Sequence, residues 1–413
     1  MSGIKEAAVL FVNSGGASCC KLALVHSIDP LLSPASSPRG SHLWAGASRG
    51  RRPLTFRGWP ISARMVEHVC TDLFMGFKVR IEPSGHEFEV QNEETVLEAA
   101  LREGLSLMYS CRNGACGSCK GRLLSGTIDY GRYQAKALSR DERAQGKALF
   151  CQAVPLSDLV IEAREVGAAK GISVKIMPVR VVRMERLAHD VMGLHLKRPQ
   201  NEAFRFLAGQ YIDVLLKDGR RRSFSLANPP EHDALLELHI RRLPGGRFSE
   251  HVFTQMEEKA LLRIEGPLGT FFVNEESTAP KLFLAGGTGF APVKAMLEHA
   301  FATGAIRDMH LFWGVRARRD LYMHDLAQGW AKRYRHFQYT PVLSQPDAGD
   351  EWTGATGYVH EALLATYTDL SGFEVYASGP PAMITAAHAV FSRHGLPENS
   401  FYFDSFEHAE DGP

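Results

Sequence analysis

The chain has 413 residues, 45% hydrophobic and 23% charged, a balance suited to two to four globular domains that each bury a core. Its 47 Lys and Arg nearly cancel its 46 Asp and Glu, for a formal net charge of +1, so no basic field points to nucleic acid. No run approaches the roughly 20 uninterrupted apolar residues that a membrane span needs, and a cytoplasmic protein with no membrane partner is expected.

Residues 1–74 read unlike the rest. From Met1 to Met65 the only acidic residues are Glu6 and Asp29, while Ser, Gly, Pro and Arg accumulate in SPASSPRGSHLWAGASRGRRP. Such a composition does not readily build a core. An acid-poor, Ser- and Arg-rich leader can be a targeting segment. The preferred expectation is a disordered or non-native extension, with the real start at Met75, because a complete domain begins at Phe77. Cys19, Cys20 and Cys70 lie in this stretch and receive no role.

From Phe77, FKVRIEPSGHEFEV alternates apolar and polar residues around a Pro-Ser-Gly turn, which predicts a hairpin. Thr95 and Glu98 form a capping box opening a helix whose pattern ends at Gly104. YSCRNGACGSCKGRLL (109–124) follows. With Cys151 it gives the spacing C-x4-C-x2-C-x31-C through Cys111, Cys116 and Cys119. A disulfide framework belongs to short secreted chains, and structural zinc usually pairs two C-x2-C knuckles. The observed spacing is instead that of a plant-type [2Fe–2S] cluster. Gly114, Ala115, Gly117 and Ser118 let a tight loop turn its N–H groups towards sulfur. Hairpin, helix, cluster loop and late cysteine together resemble a plant-type ferredoxin domain, which implies an α+β β-grasp fold over 75–168.

VGAAKGI (166–172) reads as a linker. The short strands beyond it, VKIMPVRVV and GQYIDVLLKDG among them, predict an antiparallel β-barrel over 172–275. Within it RRRSFSLANPP (220–230) is a solvated strand edge on a bland reading. Yet Arg222, Ser223, Phe224 and Ser225 match R-x-[YF]-[ST], and here the sequence resembles the ferredoxin–NADP reductase superfamily. The resemblance implies that Arg222 contacts flavin phosphates, Phe224 packs on the flavin and Ser225 lies near its N5. Gly245, Gly246 and Ser249 in LPGGRFSEHVF open a helix whose free N–H groups suit a pyrophosphate. In the family this stretch implies FAD, and IEGPLGTFF matches its closing turn.

The last third, 276–408, changes period. KLFLAGGTGFAPVKAMLEHAF gives a strand over 282–285, a glycine turn and a helix with Val293, Met296, Leu297 and Ala300 on one face. Repetition of strand and turn predicts an α/β doubly wound sheet. Gly286, Gly287, Thr288 and Gly289 match the superfamily's G-G-T-G-x-[AT]-P motif, which implies an NAD(P)-binding turn. Ser378, Gly379, Pro380 and Pro381 stand where the relatives carry Cys-Gly-Pro-Pro near the nicotinamide. Arg316 is the candidate for ribose or 2′-phosphate contact. With Arg318 and Arg319 it can equally be a solvated loop paired with Asp320. The resemblance leans to NADH.

The order of these parts resembles the iron–sulfur flavoprotein reductases, and the texture is nearest the CDP-6-deoxy-Δ3,4-glucoseen reductase type. The resemblance implies electron flow from NAD(P)H to FAD to [2Fe–2S] to a protein partner, with Ser225 and Ser378 nearest the chemistry. That partner is a deoxysugar dehydratase or, alternatively, an oxygenase component. A redox sensor would not need the complete nucleotide motifs, and a free flavin reductase would lack the cysteine loop.

Overall fold

The computed structural model describes residues 76–91, 93–167, 171–200, 202–304 and 307–407; the expectation for residues 1–74 lies outside them. Among the described residues three large sheets follow one another along the chain, with a two-stranded pair of Ile128–Asp129 and Val154–Pro155 besides. The first has the strand order Glu87–Val90, Phe77–Glu82, Leu159–Glu162, Lys120–Ser125, Lys147–Leu149. The opening hairpin pairs Val79 with Phe88. The late strand Leu159–Glu162 then runs parallel to Phe77–Glu82. Alternation dictates the inward face: Val79, Ile81, Phe88 and Val90 are buried, because successive side chains of a strand point to opposite faces. The helix Val96–Arg102 begins at Thr95, whose Oγ1 accepts the Glu98 N–H while Glu98 accepts the Thr95 N–H at 3.0 Å. Val96, Leu97, Ala99 and Ala100 pack it onto the sheet.

The second sheet is antiparallel, in the order Arg221–Ser225, Tyr211–Leu215, Leu261–Leu268, Lys175–Arg186, Val191–Lys197, Leu236–Arg241. Among the described residues its two outer strands meet through one isolated bridge, Leu226 to Leu238. The sheet therefore curls round without a continuous closing ladder. Its interior is filled by a separate apolar cluster that includes Val179, Leu194, Ile212 and Ile264.

The third sheet is wholly parallel: Ala355–Thr356, Phe337–Leu343, Met309–Val315, Lys281–Gly286, Glu374–Gly379, Phe401–Ser405. All six residues of Lys281–Gly286 are buried, as strands covered on both faces must be. The chain winds outward from Lys281–Gly286 in one direction, then crosses to Glu374–Gly379 on its other side. The carboxyl ends of these two strands therefore flank the switch point, where open α/β sheets bind ligands. Val293, Met296, Leu297 and Ala300 of the helix Phe290–Thr303 are buried against this sheet.

The three cores touch. Tyr211 and Leu268, from the second sheet, belong to the first apolar cluster, and Ala208 and Phe271 belong to the third sheet's.

Candidate functional site

The cysteine loop turns on three residues in the left-handed region, Arg112 (φ 58°), Gly114 (75°) and Gly117 (83°). Gly114 has no substitute, since a Cβ there would lie 2.6 Å from the Arg132 carbonyl oxygen. The turn directs N–H groups at sulfur: Cys116 N lies 3.4 Å from Cys111 Sγ, and Ser118 N 3.4 Å from Cys116 Sγ. Cys151 arrives from the end of Lys147–Leu149, positioned by Phe150 N–H to Cys119 O (3.1 Å) and Gln152 Nε2 to Arg112 O (3.2 Å).

The four sulfurs associate in two pairs. Cys116 draws the Cys111 thiol down to about 6 and is itself pushed up by Cys111. Cys151 is lowered by Cys119, which is pushed up in turn. Among the described residues no three cysteine sulfurs lie within 4.8 Å of one another. A single zinc ion, with bonds of about 2.3 Å, would gather all four to roughly 3.8 Å. Two pairs suit a core of two irons, whose thiolate ligands number four.

The neighbours of Cys111 are tied to the other sheets. Tyr211 Oη donates to Ser110 O at 2.5 Å, and Ser110 Oγ donates to Asp404 Oδ1 at 2.7 Å. Arg112 reaches Asp213 Oδ2 at 2.5 Å and Glu265 Oε2 at 3.7 Å. Thr270 is hydrogen-bonded to Tyr109 through both its N–H and its hydroxyl. Asp213 also accepts Ser223 Oγ at 2.6 Å, and Asp404 accepts Ser225 Oγ at 3.3 Å. One buried carboxylate on each side thus joins the cysteine loop to the strand Arg221–Ser225. Burial pushes the Asp404 carboxyl up, against the two hydroxyls that donate to it.

That strand carries Arg222, Ser223, Phe224 and Ser225, and Ser225 is buried. Phe224 packs on Phe248 with ring centroids 5.5 Å apart, which brings the strand beside the turn of Gly245 and Gly246 and the helix Arg247–Thr254. Ser249 turns inward, accepting the Leu243 N–H (3.1 Å) and donating to Gly246 O (3.0 Å). Its hydroxyl shapes the turn, leaving backbone N–H groups at the start of the helix Arg247–Thr254 to meet a diphosphate. This chemistry fits FAD.

At the switch point, the 286–289 turn and the 378–380 turn meet backbone to backbone. A Cβ on Gly289 would lie 2.0 Å from Ser378 O, and one on Gly286 2.8 Å from Pro380 Cδ. Trp313 Nε1 donates to Gly287 O at 3.0 Å. Ser378 is fully buried and its Oγ has no partner, a polar group that a ligand can satisfy. Ser378 also stands in register with Asp404 on the adjoining strand. Arg316 is exposed just past the end of Met309–Val315 on the same edge. Its neighbours correct one reading: Arg318 binds the Asp350 carbonyl and Arg319 lies 3.9 Å from Asp347. Asp320 instead accepts the Ala317 N–H, since it closes the capping turn Arg318–Asp320.

Sequence reasoning did not single out Ser110, Arg112, Tyr211, Asp213, Thr270 or Asp404. Asp404 carries a signal in hindsight, being a carboxylate inside the otherwise apolar strand FYFDS. The others carry none, because the contacts that tie the cysteine loop to the other sheets span 100 residues or more along the chain.

Comparison with known proteins agrees with this layout. Family models match a 2Fe-2S iron-sulfur cluster binding domain over residues 79–156, an oxidoreductase FAD-binding domain over 178–273 and an oxidoreductase NAD-binding domain over 283–389. The chain is 42% identical over 332 residues to the CDP-6-deoxy-L-threo-D-glycero-4-hexulose-3-dehydrase reductase of Yersinia pestis, covering 80% of this chain and 99% of the relative. It is 36% identical over 342 residues to the phenol hydroxylase P5 protein of Acinetobacter pittii, with coverage of 82% and 96%. Among solved structures, an Amycolatopsis cytochrome P450 reductase superposes with a TM-score of 0.68 at 31% identity, over 80% of this chain and 98% of that one.

Proposed function

The chain belongs to the iron–sulfur flavoprotein reductases, NAD(P)H-dependent oxidoreductases that pass electrons through FAD and a [2Fe–2S] centre, and from this premise we propose that its acceptor is a dehydratase of a CDP-linked deoxyhexulose. The observation that carries the proposal is the 42% identity extending over 99% of a relative named for that partner. The second reading, the reductase component of an aromatic oxygenase, is supported by the 36% identity to a phenol hydroxylase component.

Within this reading each group of residues has a task. The 286–289 turn and Gly379 and Pro380 hold the nicotinamide nucleotide, with Arg316 on its ribose side. Ser378 supplies a hydroxyl where the nicotinamide lies. Arg222, Ser223, Phe224 and Ser225 hold FAD with the turn of Gly245 and Gly246, which Ser249 shapes. Cys111, Cys116, Cys119 and Cys151 hold the [2Fe–2S] core. Bound in its own site, FAD would supply the conversion between a two-electron hydride donor and a one-electron [2Fe–2S] acceptor. Asp213 and Asp404 keep Ser223 and Ser225 in place by accepting their hydroxyl protons in hydrogen bonds.

We place the protein in the cytoplasm, where NAD(P)H is supplied and free thiols persist; no helix of the described residues is long and apolar enough to cross a membrane. The deciding experiment offers protein reduced with NADH, and separately with NADPH, to a CDP-deoxyhexulose dehydratase and to an oxygenase component. Faster reoxidation by the dehydratase is expected, with NADH preferred. Reoxidation by the oxygenase component alone would establish the second reading, and zinc in place of iron, or FMN in place of FAD, would overturn the site assignment.

A further inference from the structure

The cysteine loop has two sides, and only one is free. Ser110 and Arg112, on either side of Cys111, are bound by Tyr211, Asp404 and Asp213, so the Cys111 side faces the flavin and nucleotide parts. On the other side Asn113 is exposed, and Cys116, Gly117 and Ser118 are partly exposed. The segment 130–137 borders this opening. Gln134 N donates to Gly114 O at 3.0 Å, and a Cβ on Gly117 would lie 3.4 Å from Ala137 O.

That border is basic. Arg132, Lys136, Arg140 and Arg143 are all exposed. Arg143 lies over the Tyr130 ring at 3.9 Å and donates to Tyr133 Oη at 3.2 Å, which presents its guanidinium on a rigid aromatic base. Lys136 already takes one carboxylate, that of Glu407, at 2.6 Å. The local carboxylates are few and largely engaged: Asp129 accepts the Gly131 N–H and Glu142 is paired with Lys120, leaving Asp141. The charge is sharply divided by sequence. Residues 109–152 hold eight Lys and Arg against three Asp and Glu, whereas residues 76–105 hold three against seven.

We propose that the open side of the cysteine loop, bordered by Arg132, Tyr133, Arg140 and Arg143, is the face on which electrons leave, and that it receives a protein acceptor with a carboxylate-rich surface around its own redox centre. This rests on the reading that the cluster is the exit for electrons. One electron passes per encounter, and no bond is made or broken. Opposed charge fields accelerate encounter and orient the partner, and the effect weakens as salt screens them. The tyrosines and arginines also suit the centre of an interface, where those residue types are enriched.

The test uses the full chain, with NADH as donor and two haem proteins as probes: acidic cytochrome b5 and basic cytochrome c. Reduction of cytochrome b5 should fall as salt rises. In Arg132→Glu and Arg140→Glu, kcat/KM for cytochrome b5 should drop by about tenfold at low salt, with cytochrome c reduction undiminished. Visible spectra and anaerobic NADH titration report whether each variant retains a reducible cluster. If both variants retain it and reduce cytochrome b5 like the wild type, or lose both acceptors alike, the basic face is not the docking site. If the wild type reduces neither cytochrome although its cluster is reduced by NADH, the exit reading itself falls.

Discussion

The cysteine loop and the nucleotide crevice do opposite things with backbone and side chain. In the loop, function resides in four side chains, and the glycines serve to bring sulfur and N–H together. In the crevice, function resides in backbone shape: two turns from strands about 90 residues apart in sequence press together so closely that Gly289 leaves no room for a Cβ. A site made of side chains is destroyed by removing atoms, whereas a site made of backbone is destroyed by adding them.

The largest effect tests the first half of that contrast. Cys151→Ser should remove the cluster and reduce NADH-driven cytochrome c reduction by at least about 100-fold. Ferricyanide reduction should persist, because ferricyanide can draw electrons from flavin and the other sheets have their own cores. Parallel loss of both activities with FAD still bound would mean that the cluster is not the exit.

Adding one methyl group tests the second half. Gly289→Ala sets a Cβ against the Ser378 carbonyl at a separation that forces the two turns apart. Flavin reduction by NADH should slow by about 100-fold, as expected for a reacting geometry displaced by about 1 Å. The visible spectrum of the cluster should not change; a lost cluster would show that the two sites are not independently built.

Third is a change that weakens the nucleotide sheet without touching its crevice. Lys281 begins the strand whose other end is Gly286, and its Nζ lies 2.5 Å from Glu374 Oε2, with both side chains buried. Lys281→Met leaves the buried Glu374 without its cation, held by hydrogen bonds from Tyr376 Oη and Asn274 Nδ2, at a cost of about 3 kcal/mol. Thermal unfolding should shift down by that amount while KM for NADH holds; a raised KM would mean that the strand transmits strain to the crevice.

The smallest effect serves as a control outside both sites. His299 lies 2.8 Å from Glu231 and 2.7 Å from Glu275. Burial opposes its protonation, but the two carboxylates outweigh it and raise its pKa. A group raised on folding stabilises fully below its unfolded value of about 6.5, and that contribution fades as pH rises through the folded value. His299→Gln should therefore remove up to about 1 kcal/mol at pH 6 and less at pH 8. Urea unfolding at the two pH values measures the difference, and an equal loss at both would point to packing.

The opening hairpin, the capping box at Thr95, the first three cysteines and the 286–289 turn were all legible in sequence because each is local, and Cys151 was assigned by the plant-type spacing alone. Alternation, a three-residue cap and a glycine run act over fewer than about ten residues, and their physics does not need the remainder of the chain. The bland reading of 220–230 as a solvated edge was equally local, and half right: Arg221–Ser225 is an outer strand, but its hydroxyls are bound inward by Asp213 and Asp404. Gly245, Gly246 and Ser249 were expected to open a helix, as they do, and the Ser249 hydroxyl folds back to its own turn by a path of three residues that sequence reasoning did not describe.

Sequence by itself determined which atoms are available: four cysteines at the spacing of a two-iron core, a flavin-type strand and a glycine turn, arranged along the chain in the reverse of the order of electron flow. Tertiary structure alone decided how they are joined. Asp404 meets Ser110 across 294 positions and Ser225 across 179, and Arg112 meets Asp213 across 101. Contacts at such separations leave no periodicity or spacing in the chain, because they depend on how three independently patterned sheets dock, and docking is selected by whole surfaces rather than by any short run of residues.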